Sequence, residues 1–265
     1  MDSKQIYLTI FLISFITAFY ILYLRLPKEV LVSQPEAIYC VMITGKNDSR
    51  QKFAEIAIAN FKMQSYSNKK LVIINESDRL DVGDDDIIER VVNEKERERL
   101  TLGDLRNMAF EYIPEEAIWT TWDDDDWRSD NYLQYLYDNL KSNDYVFFTR
   151  RIEHNFNTDF TWIMELKTGF VIMFGRKKTF AKYDRKEFNE DIKLKKTISK
   201  HLRFKVIEND PIIYIRFTHK DNTSTLVKER KTSLKDTSSN KVYFESAVNG
   251  MEKLYVDHIV KTEFS

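Results

Sequence analysis

Residues 37–122 alternate between near-continuous apolar runs of strand length and segments whose apolar positions recur at helical spacing. AIYCVMIT (37–44), KKLVIIN (69–75), DIIERVVN (86–93) and AIWTTW (117–122) are the runs. Apolar runs without polar alternation predict strands covered on both faces. Between them, residues 50–63 set Phe53, Ile56, Ala57, Asn60 and Phe61 at helical spacing, with Asp48 or Ser49 placed to cap the start. GDLRNMAFEYI (103–113) predicts a second helix. The order strand, helix, strand, strand, helix, strand predicts a mostly parallel α/β sheet with helices on both faces.

The pattern is less regular afterwards. YVFFTRR (145–151) and FVIMFGR (170–176) predict strands separated by a longer, aromatic-containing loop, and residues 186–202 a helix opening with Asn-Glu-Asp. RFKVIEN (203–209) and IIYIRFTH (212–219) predict two more strands. Residues 228–242 are rich in Lys, Ser and Thr and predict a loop, the last twenty or so residues a helix, and no internal repeat is present.

Residues 6–24, IYLTIFLISFITAFYILYL, contain no charge, no Pro and no Gly. At 1.5 Å per residue they make roughly 28 Å of helix, close to the hydrocarbon thickness of a bilayer. The run lacks a polar face, and RLPKEV follows it instead of the small residues of a cleavage site. A single-pass N-terminal anchor is expected over 1–25, a Pro-containing stalk over 26–37, a catalytic domain over 38–225 and an extension over 226–265. Lys4 precedes the span and Arg25 and Lys28 follow it, so flanking charge barely orients it. Sequons at Asn47, Asn75 and Asn222 fall where glycans would obstruct the expected site, which leans towards a cytosolic domain.

With 41 Lys and Arg against 42 Asp and Glu, the chain lacks the basic excess of a general nucleic-acid binder. Its one cysteine, Cys40, rules out an intrachain disulfide.

The chemistry concentrates in AIWTTWDDDDWRSDNYL (117–133), where Asp123 to Asp126 stand side by side after a buried strand. Like charges so close repel, and each buried one costs several kcal/mol or takes up a proton. A solvated loop would relieve this, and so would a divalent cation suited to hard oxygen ligands. GKNDSR follows the first strand, NESD the second and DDDD the fourth. In an open parallel sheet ligands bind at such carboxyl ends, which favours the cation.

The succession VMITGKNDSR, NFKMQSYSNKKLVIINESD, LGDLRNMAFEY and AIWTTWDDDDWRSDNYL resembles the nucleotide-binding half of a GT-A glycosyltransferase, most like family 2. TGFVIMFGRKKTF, FNEDIKL and YIRFTHKDNTS are similar to the family's acceptor-side segments, so the resemblance covers roughly residues 37–225. It implies a Rossmann-like, mixed but mostly parallel sheet, with a donor half over 38–135 and an acceptor half over 136–225. The implied partners are a nucleotide-sugar donor, first of all a UDP-sugar, and a glycan, lipid or protein acceptor. The implied cofactor is Mn2+ or Mg2+. Asp125 is assigned to the metal, with Asp126 and His219 as further candidate ligands, and Asp123 to the donor ribose. Thr44, Asn47, Arg50, Asn75, Glu76, Arg106 and Asp124 complete the expected donor site. Asp191 is the expected general base, with Glu190 beside it to position the acceptor, so inversion of configuration is implied; Asn107 is expected to be structural.

Two departures bear on these expectations. The family often carries an Asp-Asp pair after its second strand, where this chain has IINESD, so Asn75 or Glu76 would have to substitute. A Gln-x-x-Arg-Trp motif is absent, which points to transfer of single sugars rather than processive synthesis. The alternatives are a nucleotidyltransferase, which also uses strand-end carboxylates and a metal, and a degenerate, non-catalytic membrane protein of the same fold.

Overall fold

The computed structural model describes residues 35–45, 48–80, 82–148, 150–155, 160–165, 173–180, 182–207 and 213–219. The expected membrane span, most of the stalk, Asn47 and the C-terminal extension lie outside these residues. Among the described residues no helix is long and apolar enough to cross a membrane.

The predicted apolar runs form β1 (Ile38–Thr44), β2 (Lys69–Asn75), β3 (Ile87–Val91) and β4 (Ile118–Thr121). β1 pairs in parallel with both β2 and β4, and β2 with β3, so the register sets Thr44 beside Asn75 and Val41 beside Thr121. The polar segments after these strands are thereby brought to one edge of the sheet.

Alternate residues of β1 face opposite layers. Ile38, Cys40 and Met42 join Ala54, Ala57 and Phe61 of α1 (Asp48–Lys62), whereas Tyr39 and Val41 join Leu105 and Ala109 further along the chain. Each fully buried Phe or Leu in these layers contributes about 1.5–3 kcal/mol. Asp48 and Ser49, expected as caps, stand in the first turn of α1 itself.

A four-residue helix, α2 (Glu94–Arg97), is capped by the Asn93 side chain, and α3 (Leu102–Ala109) opens on a capping box between Thr101 and Asp104. Gly103 permits a close approach: a Cβ there would lie 1.8 Å from the backbone oxygen of Asp184. Gly103 also donates its backbone N–H to the Lys186 carbonyl at 3.1 Å, docking α3 onto the 184–190 segment.

The second half departs from the expected pattern. β5 (Asp126–Arg128) begins inside the aspartate run, followed by α4 (Tyr132–Leu140), whose Tyr132, Leu133, Leu136 and Leu140 are buried. The strand expected over 145–151 is divided between β6 (Tyr145–Phe148) and the start of β7 (Arg150–Asn155), and the rest of β7 and β8 (Phe160–Glu165), an antiparallel pair, fall in residues expected as a loop. β9 (Phe174–Arg176) occupies the described end of the 170–176 run. The helix expected over 186–202 is α5 (Ile192–His201); Asn189, at φ 58, turns the chain before it can extend further back. β10 (Phe204–Ile207) and β11 (Tyr214–Thr218) complete the described fold.

The strands form two sheets. The larger runs β10-β6-β9-β4-β1-β2-β3, and only β9 is antiparallel to its neighbours. The smaller, β5-β11-β7-β8, sets β11 antiparallel to β5, with Arg216 opposite Asp126.

Candidate active site

Thr44 closes β1, and its Oγ1 lies 3.0 Å from Asp124 Oδ2. Arg50, on the first turn of α1, donates from Nη1 to Asp124 Oδ1 at 2.6 Å and to Asp125 Oδ2 at 2.8 Å. One guanidinium thus offsets two of the four adjacent carboxylates. His219 follows β11, stacks on the Phe53 ring at 4.8 Å and sets its Nε2 3.3 Å from Asp125 Oδ2.

Asp126 faces elsewhere. Its Oδ2 is 2.5 Å from the Tyr214 hydroxyl, while its buried Oδ1 has no hydrogen-bond partner among the described residues. Backbone geometry explains the divergence, because Asp126 is the first residue of β5 and its side chain turns with that strand's pleat. The expected set of Asp125, Asp126 and His219 is therefore divided: Asp125 and His219 meet, whereas Asp126 is engaged by Tyr214.

The buried carboxyls do not ionise alike. Burial pushes Asp124 up, against the pull of Arg50. Burial, reinforced by Asp125 and Asp123, likewise pushes Asp126 up. Burial also opposes charge on Asp125, but Arg50 and the hydrogen bond from His219 outweigh it and hold that carboxyl well below the usual carboxylate range. Of these three buried carboxyls, Asp125 is the one whose surroundings favour the charged form.

Asp123 has the open position, its side chain 45% exposed. Arg106, from α3, sets Nη2 3.4 Å from Asp123 Oδ1 and Nε 3.0 Å from Glu190 Oε1. Its guanidinium carbon lies 5.5 Å from the centre of the Tyr183 ring. Glu190 is buried, and burial raises its carboxyl above the ordinary value despite Arg106. Asp191, at the N-cap position of α5, makes no capping bond; Lys195 holds its Oδ2 at 2.5 Å one turn on. Asn107 both donates to the Tyr183 carbonyl at 3.0 Å and accepts from the Tyr183 N–H at 2.9 Å, a structural pairing that steadies the approach to Glu190.

Two expected donor-site residues have other duties. Asn75 is fully buried: Oδ1 accepts from Gln51 Nε2 at 3.1 Å and Ser77 N–H at 3.0 Å, and Nδ2 donates to Asp78 O at 2.7 Å and Glu89 Oε1 at 2.8 Å. That amide already makes the bonds a nucleotide base would need. Glu76 pairs with Arg97, which also reaches Glu187 at 3.1 Å. Neither side chain is directed to the aspartate run.

Arg128 is the residue the sequence pattern did not single out. It is 1% exposed, 4.4 Å from the Trp122 ring and within 5.7 Å of those of Tyr132 and Tyr214. Its Nη1 donates to the carbonyls of Asp123 at 3.2 Å and Asp126 at 3.1 Å, so a buried cation fixes the aspartate backbone from below. The aromatic residues flanking the aspartates were its visible signal.

No protein-family model matches the chain, and no curated protein sequence matches it. Solved structures do. S. aureus TarS 1–349 in complex with UDP superposes with a TM-score of 0.51 at 12% identity, over 69% of this chain and 61% of that one. Longer S. aureus TarS matches with the same score and identity, over 69% of this chain and 37% of that one. The chain thus spans about three-fifths of the shorter TarS structure. Mannosyltransferase PcManGT from Pyrobaculum calidifontis, in complex with GDP-Man and Mn2+, aligns at a TM-score of 0.46 and 13% identity over 72% of this chain and 59% of that one, too shallow a match to carry weight. The described core is thus a mixed α/β fold with a mostly parallel seven-stranded sheet that matches the fold of TarS.

Proposed function

We propose that the chain is a GT-A glycosyltransferase, nearest family 2, that moves one sugar from a nucleotide-diphosphate sugar to an acceptor hydroxyl. Arg106 carries the proposal, since its single guanidinium joins the open carboxylate of the aspartate run to Glu190 beside the candidate base. A solvated acidic loop would need neither that bridge nor the Arg50 clamp.

In this reaction the acceptor oxygen bonds to the anomeric carbon as the bond from that carbon to the diphosphate breaks. Asp191 takes the acceptor proton and the nucleoside diphosphate leaves with the electron pair, so configuration inverts. Glu190 positions the acceptor, Asp123 receives the ribose, and Arg50 with Thr44 fixes the orientation of Asp124 and Asp125.

Asp125 and His219 would hold Mn2+ or Mg2+. Asp125 Oδ2 and His219 Nε2, 3.3 Å apart, are close enough to share one ion, and the carboxylate suits Mn2+ or Mg2+. Two protein ligands suffice where diphosphate oxygens fill other positions; among the described residues no cluster of three or more His, Cys, Asp or Glu is arranged as a metal site. When bound, the ion offsets the charge that grows on the leaving diphosphate. Residues 6–24 would anchor the enzyme near a membrane-bound acceptor.

The test uses the full chain in neutral detergent with Mn2+ or Mg2+ and a panel of nucleotide sugars, recording nucleoside diphosphate release. Asp125→Asn is expected to abolish release, while Asp191→Asn slows transfer and leaves donor binding intact. Release of sugar 1-phosphate in place of nucleoside diphosphate would assign nucleotidyl transfer instead. Absence of metal-dependent nucleotide binding in a thermal-shift assay would overturn the enzyme assignment.

A further inference from the structure

We infer that the solvent face of α5 and the neighbouring edge of β10 form a docking surface for anionic lipid headgroups, an inference that rests on the membrane anchoring proposed above. Residues 192–207 hold six Lys or Arg and no Asp or Glu, although the whole chain is nearly balanced. On α5, Leu194 and Ile198 are buried, while Ile192, Lys193, Lys196, Ser199 and Lys200 are exposed. Spacings of one, four, seven and eight residues from Ile192 place these five on one helical face. Lys195, off that face, is held by Asp191 at 2.5 Å. Among the described residues Lys196 and Lys200 form no ion pair, and Lys193 reaches only Asp184, at 3.8 Å, which Lys186 already holds at 3.1 Å.

The same stretch carries the chain's apolar exposure. Among the described residues six large apolar side chains are exposed, and Phe188, Ile192, Phe204 and Val206 are four of them. β10 is the outermost strand at one edge of the larger sheet. Its Phe204 and Val206 stand opposite Tyr145 and Phe147, which pack in the layer of Leu194 and Ile198, so they lie on the sheet face that α5 covers. Lysines beside exposed aromatic and branched side chains suit the boundary of a bilayer, where cations meet phosphates and apolar groups leave water. Nucleic acid phosphates would satisfy the lysines alone, and residues 6–24, an apolar run of bilayer length in the same chain, favour a lipid surface over an acidic protein. The charge is also polarised across the sheet. β3 is the outermost strand at the other edge, and residues 84–98 around it carry seven Asp or Glu against three Lys or Arg. A negatively charged surface therefore attracts the β10 edge and repels the β3 edge, turning the domain as well as binding it.

The test places the full chain in nanodiscs of phosphatidylcholine, alone or mixed with phosphatidylglycerol. Cys40 is fully buried, so a nitroxide attaches selectively at Ser199→Cys on the exposed face of α5, with Asp85→Cys beside β3 as the control. Phosphatidylglycerol is expected to cut collisions of the nitroxide at position 199 with a water-soluble relaxant at least three-fold, and to leave those at position 85 unchanged. Lys193→Ala/Lys196→Ala/Lys200→Ala should erase this protection, and high salt should weaken it. Phe188→Ser/Ile192→Ser should weaken it at unchanged charge. An unaltered thermal melt of each variant reports an intact fold. Equal collision rates in the two lipids, protection that survives the triple variant, or equal protection at position 85 would overturn the inference. Polyglutamate producing the same lysine-dependent protection in neutral nanodiscs would also overturn it, assigning the face to an acidic protein. A chain that leaves phosphatidylcholine nanodiscs strikes the anchor; a chain that stays but gives no phosphatidylglycerol response at position 199 strikes the docking surface alone.

Discussion

Arg106 Nε lies 3.0 Å from Glu190 Oε1, both side chains largely buried, so a residue of α3 directly holds one that immediately precedes α5. The same guanidinium reaches Asp123 at 3.4 Å through Nη2. A planar fork can span two carboxylates where a point charge cannot. Arg106→Lys is therefore expected to retain the charge but lose the bridge, lowering sugar transfer by about ten-fold or more. Steady-state kinetics with whichever nucleotide sugar the release assay selects would measure this; unchanged kcat and KM would show that the bridge has no catalytic consequence.

Glu190 gives a pH prediction. Burial raises its carboxyl above the ordinary value near 4.5, with Arg106 opposing. The folded chain therefore holds that proton more tightly than the unfolded chain. This group's stabilising part is full below the ordinary value and is lost as pH rises through the raised one. Thermal melts across that window should show Glu190→Gln gaining on the wild type as pH increases. A melting difference that does not change with pH would refute the raised value.

Tyr214→Phe removes the 2.5 Å partner of Asp126 Oδ2 while Oδ1 already lacks one among the described residues. Leaving a buried polar group unsatisfied costs about 1–3 kcal/mol. Urea unfolding followed by tryptophan fluorescence should show a loss of that size, and wild-type stability would remove Asp126 from its assigned place.

At Gly103 two effects oppose each other. Alanine is the better helix former by about 1 kcal/mol, yet its Cβ would fall 1.8 Å from the Asp184 carbonyl oxygen, a backbone atom. Overpacking of this kind costs about 1–3 kcal/mol or more, so Gly103→Ala is expected to destabilise. A rise in melting temperature would show that α3 and the 184–190 segment are not in contact.

β1, β2 and β4 were legible because each is largely buried on both faces and therefore reads as an apolar run; β3, partly buried at the sheet edge, was legible from Ile87, Ile88 and Val91 despite Glu89 and Arg90. β5 was not, since Asp-Trp-Arg has no such run; it is held by pairing with β11 and by the rings around Arg128, partners remote in sequence. β7 was hidden for a related reason: Arg151 and Glu153 are paired with each other instead of being exposed. α4 did carry a signal in Tyr132, Leu133, Leu136 and Leu140, but Asn131 gives it no capping bond and it starts close behind the acidic run. In the candidate site, the strand-end pattern anticipated that Thr44 and the aspartate run would meet, and Thr44 Oγ1 lies 3.0 Å from Asp124 Oδ2. Position alone could not show that Asn75 is enclosed by Gln51, Ser77, Asp78 and Glu89.

The antiparallel seating of β11 on β5 also bears on how the protein is made. Asp126 and Asp125 await Tyr214 and His219, which leave the ribosome almost ninety residues later. Chains fold from the N-terminus as they emerge, so the larger sheet's β1 to β4 can form early around an acidic edge that still lacks its later partners. Nascent chains stopped before residue 213 should therefore retain that apolar sheet, with Arg50 in reach of Asp124 and Asp125, while Asp125 still lacks His219 and Asp126 lacks Tyr214.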